Sequence, residues 1–405
     1  MSEQTKTLVP KLRFPEFQGA GEWEEVKLGQ LGKLESGLTY SPDDIRENGL
    51  LVLRSSNVQN GEIRLNDNVY VTPSVRGANL SKPNDILICV RNGSKGLIGK
   101  NAILPEGMPL CTHGAFMTIF RSPSAKFVFQ LFQTSAYQKQ VDGDLGATIN
   151  SINGSQFIKY KFHVPKPLEQ QKIADCLSSI DVLITAQTNK IAALKDHKKG
   201  LMQQLFPAEG ETVPQLRFAE FQDAGEWEMK EVGKVFEVTR GYVLSMGLVK
   251  ATESEETPFP VYSSQTKNNG LAGFYNDYLY ESAITWTTDG ANAGDVNYRH
   301  GKFYCTNVCG VLINNDGFAN LCTAALLNSV SKKYVSYVGN PKLMNGVMSK
   351  IEIPFPSVPE QQKISDCLSS IDELITAQIQ KLEALKTHKN GLMQQLFPNA
   401  DEVNE

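Results

Sequence analysis

Two segments of this chain occur twice, and the duplication limits the possible folds more than any other feature. Residues 10–24, PKLRFPEFQGAGEWE, return as residues 214–228, PQLRFAEFQDAGEWE, with 12 of 15 positions identical. Residues 169–207, EQQKIADCLSSIDVLITAQTNKIAALKDHKKGLMQQLFP, return as residues 360–398 with 31 of 39 identical. Between them lie two stretches, about 32–166 and 236–357, with no such likeness. The offsets, 204 and 191 residues, are far longer than the repeat of a solenoid. The order predicts a duplicated two-part module: a first variable unit over 1–166, a repeat helix over 167–207, a second variable unit over 208–357 and a second helix over 358–405.

The long repeat reads as helix because its apolar residues keep 4-3 spacing for more than four heptads. The first seam is Ile173, Leu177, Ile180, Ile184, Ile191, Leu194, Leu201 and Leu205, interrupted by Gln187 and Lys198. The second is Ile364, Leu368, Ile371, Ile375, Leu382, Leu385, Leu392 and Leu396, interrupted by Gln378 and Lys389. Prolines 167 and 359 suit a first helical turn, Glu169 and Glu360 suit its dipole, and Pro207 and Pro398 stop each helix. A helix of this length spans about 60 Å. Parallel pairing would require the second unit to separate its termini by that distance, whereas domain termini usually lie close together. The expected fold class is therefore α+β, with two strand-rich units separated by two long helices in an antiparallel coiled coil, pseudo-two-fold in character.

Within the units, short apolar runs such as residues 50–53, 86–90, 117–120, 283–286, 303–305 and 309–313 alternate with turn signals and predict strands. Helices are expected near 125–140 and 321–338. The intervening loops are rich in Gly, Asn, Ser, Thr, Arg and Lys, types that serve equally in turns and in hydrogen bonds to base edges or phosphates. Trp286 reads as core.

Composition and motifs exclude several kinds of chemistry. No apolar run approaches the ~18–20 residues of a membrane helix. The N-terminus has no apolar signal core, and seven cysteines without a C-x-x-C pair read as reduced, mostly buried thiols of a cytoplasmic chain. A near phosphate loop at 93–101 has one residue too many between its glycines and Asn101 where a magnesium-binding hydroxyl is needed. Cys305 and Cys309 lack a second ligand pair, so no metal is expected. The five histidines form no H-x-x-x-H, and the repeat-equivalent His197 and His388 read as contact residues. Net charge is −4, but residues 1–166 carry +4 and residues 208–357 carry −5, so contact with DNA would use local patches or a partner's charge.

Two unlike units separated by near-identical helices resemble the specificity subunit of type I restriction–modification systems. The likeness covers essentially the whole chain. It is carried by PKPLEQQKI at 165–173 and PSVPEQQKI at 356–364, each following a unit and opening a helix. Supporting stretches are DILI at 85–88 with Gly93, Ser94, Ile98 and Gly99, and AITWTTDG at 283–290. The resemblance implies a non-catalytic subunit that reads a bipartite sequence in double-stranded DNA. Two methyltransferase subunits would dock on the repeated helices and restriction subunits would join for cleavage. Adenine methylation with S-adenosylmethionine and ATP-driven cleavage would belong to those partners, leaving this chain without a cofactor.

Base and phosphate contacts are expected from Thr39, Tyr40, Arg54, Asn57, Arg91, Asn92, Ser94, Lys95, Thr148 and Asn150 in the first unit. In the second they are expected from Tyr242, Ser264, Gln265, Lys267, Asn268, Thr287, Thr288, Asp289 and Asn292. Arg suits guanine, and Asn or Gln suits adenine.

Overall fold

The computed structural model describes residues 8–145, 150–264 and 268–398. The chain divides into two compact units, one of residues 1–188 with 381–405 and one of residues 189–380. Each unit therefore holds the beginning of one long helix and the end of the other. These helices are Pro167–Leu205 and Val358–Leu396, 39 residues each. The fold is α+β.

In the first unit, strands Lys33–Ser36, Met117–Arg121, Ile86–Cys89 and Asn101–Ile103 form an antiparallel sheet in that spatial order. A second sheet orders Cys111–His113, Leu50–Leu53, Val69–Val71 and Ile45–Arg46, with only its first pair parallel. The runs at 50–53 and 86–89 are continuous apolar segments because both faces of these strands are buried. In the second unit one six-stranded sheet orders Glu237–Arg240, Cys309–Ile313, Tyr280–Thr287, Val296–Cys305, Phe259–Tyr262 and Leu271–Tyr275. The pairing of Phe259–Tyr262 with Val296–Cys305 is parallel and the others are antiparallel. Each unit also has a short antiparallel pair beside its helix start: Glu24–Lys27 with Lys161–Val164, and Glu228–Glu231 with Glu352–Phe355.

The helix expected near 125–140 is two helices, Ala125–Leu131 and Ser135–Asp144. The break falls where Thr134 turns extended and its hydroxyl accepts the Tyr137 N–H as an N-cap. The helix expected near 321–338 ends at Val330 and gives way to a 3-10 turn, Ser331–Tyr334. There the buried Ser331 hydroxyl donates to the Gly294 carbonyl at 2.6 Å, a tertiary tie that local propensity does not report.

The helix ends run antiparallel within each unit. In the first, Ile173 and Leu177 join a core cluster with Met393, Leu396 and Phe397, and one step along Lys389 meets Asp181 at 2.6 Å. In the second, Ile364 and Leu368 share a cluster with Leu205 and Phe206, and Lys198 meets Asp372 at 2.7 Å. These two ion pairs are repeat equivalents. Every predicted seam position is buried or half-buried, whereas His197 and His388 are exposed. The polar seam positions Lys198 and Lys389 each receive an aspartate from the opposing helix, so a cation sits in the seam without an orphaned charge.

The repeated E-Q-Q-K stretch is a clasp in which each residue has a fixed partner. Glu169 accepts from Arg13 Nε and Nη2, and Glu360 from Arg217 Nε and Nη2. Gln170 and Gln361 donate back to the carbonyls of Pro165 and Pro356. Gln171 and Gln362 donate to Asp175 and Asp366, one turn on. Lys172 and Lys363 pair with Glu16 and Glu220. The short and long sequence repeats are thus the two halves of one structural unit, present twice. Trp286 is core as expected, with its Nε1 donating to the Leu343 carbonyl at 2.9 Å.

Candidate nucleic-acid interface

Most of the predicted residues that the structure describes fall on loops at the ends of the buried strands. In the first unit the loop after Ile86–Cys89 carries Arg91, Asn92, Ser94 and Lys95. Arg91, Ser94 and Lys95 are exposed. Arg91 lies over the Phe116 ring at 5.8 Å, and its backbone bridges to Ser151. No carboxylate lies within ion-pair distance of Arg91 or Lys95 among the described residues, so both charges face outward uncompensated. Asn92 donates to Ser55 Oγ at 3.3 Å and accepts the Ser94 N–H at 3.0 Å, while Asn150 Nδ2 donates to the Gly93 carbonyl at 3.0 Å. These bonds draw the loops beginning at Arg54, Arg91 and Asn150 into one cluster.

One first-unit prediction is corrected by packing. Asn57 is fully buried: its Oδ1 accepts the Arg54 N–H, and its Nδ2 donates to the carbonyls of Arg64 and Asp67. Both its amide hydrogens are committed and it is shut away from solvent, so it staples a turn rather than meeting a base. Tyr40 is half-buried, with one side against the cluster of Leu38, Leu50, Val52 and Val71. Arg54 is half-buried and paired with Asp67 at 2.7 Å, while Thr39 is exposed. Thr148 lies outside the described residues.

The second unit builds the corresponding loop differently. Thr287 and Thr288 are buried, the latter with Oγ1 at 2.9 Å from both the Val308 carbonyl and Asp289 Oδ2. The Thr288 hydroxyl serves the loop rather than a ligand, whereas Thr287 ends its strand on the wall of a recess. Asp289 faces Lys342 at 3.8 Å across a backbone bridge. Asn292 and Ser264 are half-buried, and Tyr242 and Asn268 are exposed. Gln265 and Lys267 lie outside the described residues. Asn268 and Asn269 both have φ of 51°, leading into Gly270 at 84°. Gly270 is needed there, because a Cβ would lie 2.7 Å from the Ser263 carbonyl oxygen.

Register places the two loops on one template. The bridge Arg91–Ser151 corresponds to Asp289–Lys342, and Asn92 N–H to the Asn150 carbonyl corresponds to Gly290 N–H to the Pro341 carbonyl. At one structural position, one unit shows a cation and the other an anion already faced by a lysine. All seven cysteines are free, five of them buried; desolvation pushes Cys309 up to about 11, far from a reactive thiolate. Sequence reasoning missed Arg299, which lies on the long strand Val296–Cys305. Nothing local marks it, because its environment is assembled from three distant segments.

A clasp present twice, carrying two α+β units whose equivalent loops differ in charge, defines a duplicated recognition subunit. The chain matches the family described as "Type I restriction modification DNA specificity domain" over residues 20–196 and 224–386. It belongs to that family, and within it is a DNA-recognition subunit rather than a catalytic one. It is similar to the MpnII type I restriction enzyme specificity subunit of Mycoplasma pneumoniae, with 34% identity over 161 residues, 39% of this chain and 48% of that protein. A chain of Methanocaldococcus jannaschii, provisionally described as the MjaX type I specificity subunit, is 26% identical over 411 residues, 93% of each. The chain's matches span 75% of one curated M. pneumoniae relative and 49% of another. A crystal structure of the S subunit of a type I system from M. genitalium shares the fold, with TM-score 0.66, 17% identity, and coverage of 97% of this chain and 100% of that one. Among the described residues no helix is long and apolar enough to cross a membrane.

Proposed function

We propose that the two units, 1–166 and 208–357, read the two halves of a bipartite DNA target, with segments 167–207 and 358–405 setting the unspecified spacer. The chain acts in the cytoplasm with two methyltransferase subunits and with restriction subunits, directing adenine methylation and cleavage that those partners perform. The observation that carries this is the pairing of one repeated clasp with unlike loop ends. Two copies of one surface suit two copies of one partner, and two different loop sets suit two different half-sites. Arg91, Asn92, Ser94, Lys95, Asn150, Thr39 and Arg54 supply contacts in the first unit, and Tyr242, Ser264, Asn268 and Asn292 in the second. Thr148, Gln265 and Lys267 belong to the same loops by sequence. Exposed Arg91 and Lys95 suit phosphate or guanine, and the Asn side chains suit adenine.

The test is to exchange residues 208–357 for the corresponding unit of another specificity subunit and map methylated adenines with the methyltransferase subunits present. One half of the modified sequence is expected to change while the other persists. A change in both halves, or in neither, overturns the reading.

A further inference from the structure

The second unit contains a recess of about 240 Å³ walled by Ser263, Asn269, Thr287, Asn292, Asn328 and Arg299. Arg299 is 8% exposed, yet among the described residues no carboxylate lies within ion-pair distance of it. Its Nε donates to Thr285 Oγ1 at 3.0 Å and its Nη2 to the Asn269 carbonyl at 2.7 Å, and the guanidinium lies 3.7 Å from the Tyr262 ring centre. Burial disfavours its charged form. A buried cation held only by neutral partners is costly.

The fold does not require this arginine. Strand register aligns Ile284–Tyr298 with Ile86–Ile103 and Trp286–Val296 with Ile88–Asn101. Arg299 therefore occupies the place of Leu104, and Thr285 that of Leu87. Tyr262, whose carbonyl accepts the Thr306 N–H, occupies the place of Leu53, whose carbonyl accepts the Gly114 N–H. In the first unit those three leucines sit together in one apolar cluster. The second unit replaces a leucine triad with Arg, Thr and Tyr, beside a loop whose left-handed run Arg299 itself ties down at Asn269.

We propose that Arg299 is a specificity-determining residue of the second unit, reading a guanine edge presented at this recess through its Nη donors. The Asp295 carboxylate on the recess wall, paired with Lys332 at 2.9 Å, disfavours a phosphate. A guanine edge brings the acceptors O6 and N7 without net charge. The proposal rests on the DNA-reading function argued above.

The experiment uses the full chain with its methyltransferase subunits. Wild type, Arg299→Leu and Arg299→Lys are compared by methylation mapping, by DNA affinity at several salt concentrations and by melting temperature. Arg299→Leu puts the first unit's residue at this position and removes the buried charge, and is expected to melt close to wild type. Arg299→Lys keeps the charge without the fork and covers the case in which the leucine variant fails to fold. Either variant is expected to lose about 10- to 100-fold discrimination at one guanine of one half-site, leaving the other half-site and the salt slope unchanged. Uniform weakening with a shallower salt slope would identify a phosphate anchor and overturn the proposal, as would an unchanged recognition sequence. Failure of the wild-type complex to give any two-part methylation pattern would instead refute the function on which the proposal stands.

Discussion

Arg217 grips Glu360 with two parallel hydrogen bonds, Nε to Oε1 and Nη2 to Oε2, each 2.7 Å. The carboxylate is 1% exposed and the guanidinium side chain 9%, and the pairing raises the arginine's already high pKa. Arg13 and Glu169 repeat the arrangement in the other unit. A fork-to-fork pair fixes orientation as well as distance, so each pair sets the angle at which a long helix leaves its unit.

Removing one partner of such a pair leaves a buried charge unmatched. Glu360→Ala or Arg217→Ala is expected to destabilise the second unit by about 3–5 kcal/mol. A double Leu replacement should cost less than the two single substitutions added together. Urea denaturation followed by hydrogen exchange in residues 189–380 checks this; single variants with wild-type midpoints would contradict it.

The seam should respond unevenly. Leu368 and Leu177 are fully buried, and truncating either to Ala is expected to cost about 2–5 kcal/mol. Asp372, whose side chain is 45% exposed, pairs with Lys198 in partial contact with water, so Asp372→Asn should cost only about 0.5 kcal/mol. Equal losses from the apolar and the ionic substitutions would show that the seam is not an apolar one.

His113 makes the first unit acid-sensitive. It is fully buried, its Nε2 bonds the Glu35 carbonyl at 3.0 Å, and its Nδ1 has no partner. Desolvation, the largest influence, holds its pKa below the usual 6.5, with Arg121 adding to this and the carboxylates of Asp85 and Glu35 opposing it. A histidine with a depressed folded pKa binds its proton more readily when unfolded. Stability is thus unaffected well above pH 6.5 and falls as pH drops below that value. His113→Gln should flatten this slope in a pH series of melting curves, and an NMR titration of His113 near the unperturbed value would rule the effect out.

Arg91 and Asn57 separate reading from folding. Arg91→Ala is expected to weaken DNA binding by the whole complex by about 1–3 kcal/mol if it reads a base, with no change in melting temperature. Asn57→Ala removes three hydrogen bonds at a buried position and should lower the melting temperature instead. Reversed outcomes would exchange their roles.

Much of the architecture was legible because it is written in periodicity and duplication. The seam positions, the helix ends near residues 205 and 396, the strands at 50–53 and 309–313 and the core role of Trp286 all follow from local patterns. The loop residues divide differently. Arg91 and Lys95 are exposed as expected, but Asn57 and Thr288, of the same polar types in similar turns, are spent on carbonyls 7 to 20 residues away. The helix expected over 125–140 broke for a comparable reason, at a threonine that caps a new start.

By itself the sequence determined that the chain is one module made twice, with two long amphipathic helices and two unlike readers, because identity and spacing are properties of the chain alone. Only the tertiary structure decided that the two repeats close on each other as an Arg–Glu clasp, which polar loop residues have their hydrogen bonds already spent, and that Arg299 takes the place of a core leucine. The physical reason is that a polar side chain's role depends on whether its hydrogen bonds are already satisfied, and those partners arrive from segments far away in sequence.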